Sequence, residues 1–306
     1  MLAHKRTGAA ATLFTSLVLA LAMFPGSAAA QYSVTNLVSN LSGHGKFVDT
    51  DLVNAWGMSF SPVGPFWVSD NGTGLSTVYT GAGVKQSTIV TIPTASGMGV
   101  GSPTGQVYNS GLGFQVSQNG HSGAALFIFA TEDGTLSGWS PAVNATAAVI
   151  AVTQPGADYT GLAIGTHSGS SFLFAADNLN NRVDIYDSSF KFVTSFTDTA
   201  LPAGSNPYGV QTINGQLYVT FTTRTGGGVV DIFDTAGNFV KHFALNGPLK
   251  APWGVALAPA TGFGKFSGAV LVGNVNDGRI TAFNATTGKI MGQLVSTQMK
   301  TISIQG

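Results

Sequence analysis

The sequence predicts an all-β fold, a propeller of four-stranded blades, and three observations carry that prediction. A glycine that opens a hydrophobic strand recurs at positions 57, 105, 161, 209 and 254, with spacings of 48, 56, 48 and 45 residues. Those intervals match the roughly 40 to 50 residues of one propeller blade. Each glycine is followed by an apolar run ending near an acidic or amide residue, as in Phe66-Trp67-Val68-Ser69-Asp70, Phe172-Leu173-Phe174-Ala175-Ala176-Asp177 and Val270-Leu271-Val272-Gly273-Asn274. Composition agrees, since charged residues make up only 8% of the chain while glycine occurs 41 times. Helix surfaces need Glu, Lys and Arg, whereas many short strands need turn formers.

Taken in order, the chain begins with a basic start (His4, Lys5, Arg6), an apolar stretch from Leu13 to Phe24, and the small residues Ala28-Ala29-Ala30. This reads as a secretory signal over 1–30, cut after Ala30, and it predicts a secreted or periplasmic protein. No later segment has the roughly 20 apolar residues of a membrane span. The propeller domain is expected over 31–306. Within it, Tyr32 to Val38 alternates apolar and polar side chains, and a strand over 32–40 is assigned to closing the ring by pairing with the other end of the chain.

Five repeats are then readable between about 52 and 300. The third supplies outer strands 182–187 and 192–196, the fourth 228–234 and 239–243, and the fifth 279–284 and 290–294. Period-2 alternation and short hairpin turns coincide in each pair. Residues 97–123, rich in Gly, Ser and Asn, read as a long surface insertion. The terminal Thr301-Ile302-Ser303-Ile304-Gln305-Gly306 resembles the entry to another inner strand, so a six-bladed design with a truncated last blade is expected.

The run Ala175-Ala176-Asp177-Asn178-Leu179-Asn180-Asn181-Arg182-Val183-Asp184-Ile185-Tyr186-Asp187 and the phrase Pro252-Trp253-Gly254-Val255-Ala256 resemble NHL-type (TolB-like) repeats. With Leu52-Val53-Asn54-Ala55-Trp56-Gly57 and Trp67-Val68-Ser69-Asp70-Asn71-Gly72, they resemble an uncharacterised family of secreted bacterial β-propellers, some associated with PEP-CTERM export. The resemblance implies fold and export without implying a chemistry.

Without the first thirty residues the chain has 11 basic and 13 acidic residues, a formal charge of −2. Its Lys and Arg are scattered singly, which excludes the basic groove that nucleic acid requires. The absence of Cys excludes disulfides, thiolate metal sites and a Cys nucleophile. No Gly-x-Ser-x-Gly elbow or phosphate loop is present, and no His-x-x-x-His spacing points to zinc.

If the glycine-led strand is innermost, two sets of polar groups converge on one mouth of the ring. Asn54, Asp158 and Asn206 stand three residues before their glycines. Asp70, Asn71, Glu132, Asp133, Asp177, Asn178, Asn274 and Asn276 follow second strands. Asn54, Asp70, Asn71, Asp158, Asp177, Asn178, Asn206 and Asn274 are therefore the candidate ligand-binding residues, and turn capping is the plainer account of each. A Ca²⁺ ion is conceivable, because carboxylate and amide oxygens suit a hard cation. Asn54, Glu132, Asp158, Asn206 and Asn274 would then be the metal ligands. Trp56, Tyr208 and Trp253 share one repeat position, serving either to pack blades or to ring the mouth. The sequence thus predicts a non-catalytic scaffold for a protein, glycan or small molecule. The alternative is a Ca²⁺-dependent hydrolase or lyase of the gluconolactonase-like kind.

Overall fold

A computed structural model describes residues 31–304; the signal segment expected over 1–30 lies outside the described residues. Five four-stranded antiparallel sheets follow one another around an axis. Blade 1 comprises Ala55–Phe60, Phe66–Asp70, Leu75–Tyr79 and Lys85–Thr91. Blade 2 comprises Pro103–Tyr108, Phe127–Thr131, Thr135–Trp139 and Val149–Thr153. Blade 3 comprises Tyr159–His167, Ser170–Asp177, Arg182–Asp187 and Phe192–Phe196. Blade 4 comprises Asn206–Ile213, Gln216–Thr222, Gly228–Asp234 and Phe239–Leu245. Blade 5 comprises Pro252–Leu257, Val270–Asn274, Ile280–Phe283 and Ile290–Gln293. In every blade the strands pair in chain order, innermost to outermost.

Four of the five repeat glycines, 57, 105, 161 and 209, sit on the inner strands for a steric reason. A Cβ at Gly57 would press on the backbone of Thr104 and Gly105, one at Gly105 on Gly161 and Leu162, and one at Gly209 on the Trp253 carbonyl. At Gly161 it would lie 3.0 Å from Gly209 Cα. Neighbouring inner strands approach too closely for a side chain there, so glycine is required.

The core lies between the blades. Trp67 and Val78 of blade 1 pack on Phe127, Phe129 and Trp139 of blade 2, with Trp67 stacked on Phe127 at 4.1 Å between centroids. Ile128 and Leu136 meet Tyr159, Leu173 and Tyr186 across the next gap. Phe174 and Ile185 then meet Leu217 and Phe233, and Val230 and Ile232 meet Val272 and Phe283. Alternate residues of each strand serve opposite gaps, which is why the central strands read as continuous apolar runs.

Among the described residues the expectation of six blades is corrected to five. Thr301–Ile304 does not open a new inner strand. It folds back on blade 5, bridging Thr301 to Val295 and Ser303 to Arg279. The cause is the free face of blade 5, where Ala282 and Leu271 would otherwise be bare. Ile302, Leu294, Tyr32 and Phe266, the last on the short 3₁₀ turn Gly264–Phe266, cover that face. The free face of blade 1 is covered likewise, with Tyr79 Oη donating to Asp49 Oδ2 at 2.6 Å and Lys85 bridging Asp49 and Asp51 at 2.7 Å each.

The continuous strand expected over 32–40 is also absent. Gln31–Tyr32 pairs in parallel with Val295–Ser296, and Val38–Ser39 pairs with Phe47–Val48. The first piece joins the two ends of the described chain; the second belongs to the cover of blade 1. Within 97–123 the chain forms the blade 2 inner strand and then a hairpin, Gln115–Gln118 with His121–Ala124. Phe114 and Val116 anchor that hairpin in the core between blades 2 and 3.

Candidate functional site

One backbone hydrogen bond recurs around the mouth and brings the two polar sets together. The residue following a second strand donates its N–H to the carbonyl of the residue three before the blade's glycine. It joins Asn71 to Asn54 (3.2 Å), Glu132 to Ser102 (3.2 Å), Asn178 to Asp158 (2.8 Å) and Val275 to Ala251 (3.0 Å). Asn54 reaches its position with φ 51°, a left-handed conformation that Asn tolerates better than most residues.

Side-chain bonds extend the set. Asn54 Nδ2 donates to Asn71 Oδ1 at 2.9 Å, Asn71 Nδ2 donates to Glu132 Oε2 at 3.2 Å, and Trp56 Nε1 donates to Asn54 Oδ1 at 3.3 Å. Asp158 lies near enough to Glu132 for their charges to interact. Burial, reinforced by the Glu132 and Asp177 charges, pushes the Asp158 carboxyl up to about 6, and its buried Oδ1 has no hydrogen-bond partner. Burial likewise raises the Tyr208 hydroxyl, with Glu132 and Asp158 adding to the effect. Two carboxylates and two amides thus face a half-buried aromatic edge.

That edge consists of Trp56, Tyr208 and Trp253. Trp56 meets Tyr208 and Trp253 edge-on, with centroids 6.1 and 6.0 Å apart, and Trp253 Nε1 reaches across to donate to the Thr160 carbonyl at 2.8 Å. The ring of Trp56 in blade 1 therefore meets those of blades 4 and 5 near the axis. Beyond Trp56 and Trp253 opens an axial cavity of about 590 Å³, lined by inner-strand backbone and by Met58, Phe60, Ile213 and Leu257. Between blades 5 and 1 it has an exposed apolar lip. Met58, Phe60 and Leu257 are exposed there, and a Cβ at Gly254 would meet no atom within 4 Å.

The remaining candidates lie elsewhere or serve the blades. Asp70 is fully buried inside blade 1, where its Oδ2 accepts from Thr77 Oγ1 at 2.7 Å. Asp177, also fully buried, holds its turn by accepting from Asn180 Nδ2 at 2.7 Å and from the backbone of Asp158 and Asn180. Asn274 donates to the Pro248 carbonyl at 2.7 Å and to Asp277 at 3.0 Å. Asn178 Nδ2 donates to the Pro207 carbonyl at 2.9 Å, linking blades 3 and 4. Asn206 begins the inner strand of blade 4 and is partly exposed. Asp133 accepts from Ala95 N at 2.7 Å and from Thr131 Oγ1 at 2.5 Å, and Asn276 is exposed.

Sequence reasoning named the aromatic position without foreseeing that three of its rings would touch. It also missed Thr104 and Gln106 as axial braces. Gln106 Nε2 donates to the carbonyls of Gly57 and Trp67, and Thr104 Oγ1 donates to that of Tyr159 at 2.5 Å. The available signal was that Gly105, alone among the five repeat glycines, has a polar residue on both sides.

No family model matches the chain. It is 29% identical over 289 residues to the uncharacterised protein L690 of Acanthamoeba polyphaga mimivirus, covering 89% of this chain and 76% of that protein. It is 26% identical to the uncharacterised protein R648 of the same virus, covering 92% and 74%. These relatives are viral, so the expected bacterial origin, NHL membership and PEP-CTERM association find no support in them. Among solved structures, virginiamycin B lyase from Staphylococcus aureus superposes with a TM-score of 0.54 at 15% identity, covering 80% of this chain and 71% of that one. The WD40 propeller domain of Doa1 superposes with a TM-score of 0.51 at 8% identity, covering 79% and 69%. Both share the propeller fold.

Proposed function

We propose that this chain is an exported, non-catalytic propeller that binds a cationic group at its mouth, carried by a small molecule or by a protein side chain. The observation that carries the reading is the placement of Glu132 and Asp158, near enough for their charges to interact, beside the rings of Trp56, Tyr208 and Trp253. A carboxylate pair attracts an ammonium or guanidinium group, and an aromatic edge adds cation–π attraction once water is displaced. Asn54, Asn71, Asn178 and Asn206 would supply neighbouring amides, while Asp70, Asp177 and Asn274 would hold the blade ends that carry them. The five-bladed scaffold supports this use because its loops are pinned by repeated backbone bonds.

A second reading rests on the unpartnered Asp158 Oδ1. Of the five ligands expected from the sequence, Asn54, Glu132 and Asp158 would hold a Ca²⁺ ion that satisfies that oxygen and could polarise a carbonyl, making the protein a hydrolase or lyase, whereas Asn274 is committed to Pro248 and Asp277. Among the described residues no helix is long and apolar enough to cross a membrane. Export is tested by N-terminal sequencing of the mature chain, expected to begin at Gln31.

Thermal unfolding with an acetylated lysine amide, an arginine-bearing peptide and CaCl₂, each added separately, tests the site. A rise in melting temperature with the lysine or arginine probe, abolished in Glu132→Gln and Trp56→Ala, is expected. A rise with Ca²⁺ alone would favour the second reading. No rise with any of the three would overturn both.

A further inference from the structure

The outer rim between blades 3 and 4 carries a second constellation that plays no part in the mouth. Asp198 lies two residues beyond the outermost strand of blade 3. Asp231 sits in the third strand of blade 4, and His242 stands directly opposite it on the fourth. One donor atom from each lies within 4.8 Å of the others. His242 Nδ1 is 2.9 Å from Asp231 Oδ1 and 3.5 Å from Asp198 Oδ2.

The carboxylates are deeply placed. The Asp231 side chain is fully buried and that of Asp198 only 7% exposed, yet each keeps a buried oxygen, Oδ2 in both, with no hydrogen-bond partner. Among the described residues no Lys or Arg forms an ion pair with either. Lys241, which adjoins His242 in sequence, donates to the Thr286 carbonyl at 2.9 Å. Two adjacent buried acceptors with one imidazole between them are costly unless a proton or a cation supplies the missing positive charge.

We propose that Asp198, Asp231 and His242 form a three-ligand site for a divalent transition cation of the Zn²⁺ type, with the fourth position open to water. The spacing fits. Tetrahedral zinc with bonds near 2.0–2.1 Å places its ligand atoms about 3.3 Å apart, and the two observed His–carboxylate distances bracket that figure. His242 is 37% exposed and forms the rim of the site, which gives an ion an entry path. Bound there, the ion would tie the chain leaving blade 3 to the outer half of blade 4.

Titration calorimetry with ZnCl₂ on the purified protein tests the assignment, with Co²⁺ as a coloured stand-in whose visible band reports tetrahedral coordination. One Zn²⁺ per chain is expected, with at least tenfold weaker binding in both His242→Ala and Asp198→Asn and unchanged binding in His121→Ala. Asp198→Asn changes a loop residue without altering volume, and its circular dichroism spectrum verifies folding. Equal Zn²⁺ binding by the parent and both variants would overturn the site. So would the absence of any Zn²⁺-dependent rise in melting temperature, which would leave a shared proton as the occupant.

Discussion

Replacing Gly209 by Ala measures how tightly the inner strands are drawn together. The added Cβ would fall well inside contact distance of the Trp253 carbonyl oxygen and 3.0 Å from Thr220 Oγ1, which accepts from the Gly209 N–H at 2.8 Å. The principal obstacle is backbone of the next inner strand, so no rotamer change relieves it, and blade 5 must shift away. Overpacking of this kind costs about 1–3 kcal/mol, and a rigid neighbour places the cost toward the upper end. Ala also restricts the unfolded chain, which returns about 0.4–1 kcal/mol. The net expectation is a loss of about 2 kcal/mol. At roughly 2–4 °C per kcal/mol for a chain of this size, the melting temperature falls by about 4–8 °C. Gly254→Ala is the internal control, because the same repeat position there meets no atom within 4 Å and needs no positive φ. It should be neutral or raise the melting temperature by about 1–3 °C. Differential scanning calorimetry of the two variants beside the parent provides the comparison. Equal melting temperatures for Gly209→Ala and Gly254→Ala would refute the close approach of inner strands from which the mouth geometry follows.

Three further outcomes follow from the buried groups. Burial, opposed by the Thr77 hydroxyl and reinforced by the Asp49 charge, holds the Asp70 carboxyl at about 7, above its ordinary 3.8. Stability from its neutral form is therefore complete below pH 4 and lost as pH rises through 7, by up to ~4 kcal/mol; Asp70→Asn should flatten the fall in melting temperature between pH 4 and 7, and an unchanged slope would contradict this. Trp67, 5% exposed and set against Phe127 and Trp139 with centroids 4.1 and 4.8 Å away, should cost about 3–5 kcal/mol when changed to Ala, read from denaturant midpoints. Tyr159→Phe removes the hydroxyl that donates to Asp184 Oδ2 at 2.9 Å and lies 2.6 Å from Tyr186 Oη, leaving a buried carboxylate short of a donor; a loss of about 1–3 kcal/mol in the same assay is expected.

Legibility of the mouth was uneven, and particular residues explain why. Asn54, Asn71, Glu132 and Asp158 were found because repeat position alone places them at strand ends, and equivalent strand ends share one rim. Asp70 and Asp177 occupy the same repeat position as Asn274, yet all three are buried at the ends of second strands. Alternation along a strand buried on both faces does not reveal which ends are covered. The contact among Trp56, Tyr208 and Trp253 depends on ring radius, and hence on blade number, which the spacing of repeats does not specify.

Sequence by itself determined the blade, since glycine at each close approach, two-faced apolar strands and hairpin turns are local requirements that any ring of such sheets must meet. Tertiary structure decided how many blades the described residues form and what covers the free faces, because Tyr32, far away in the sequence, joins Ile302 and Phe266 in burying blade 5, a contact that no local pattern encodes. It alone also joined Asp198 to Asp231 and His242, residues of two adjacent blades brought within 4.8 Å by the packing of one sheet on the next.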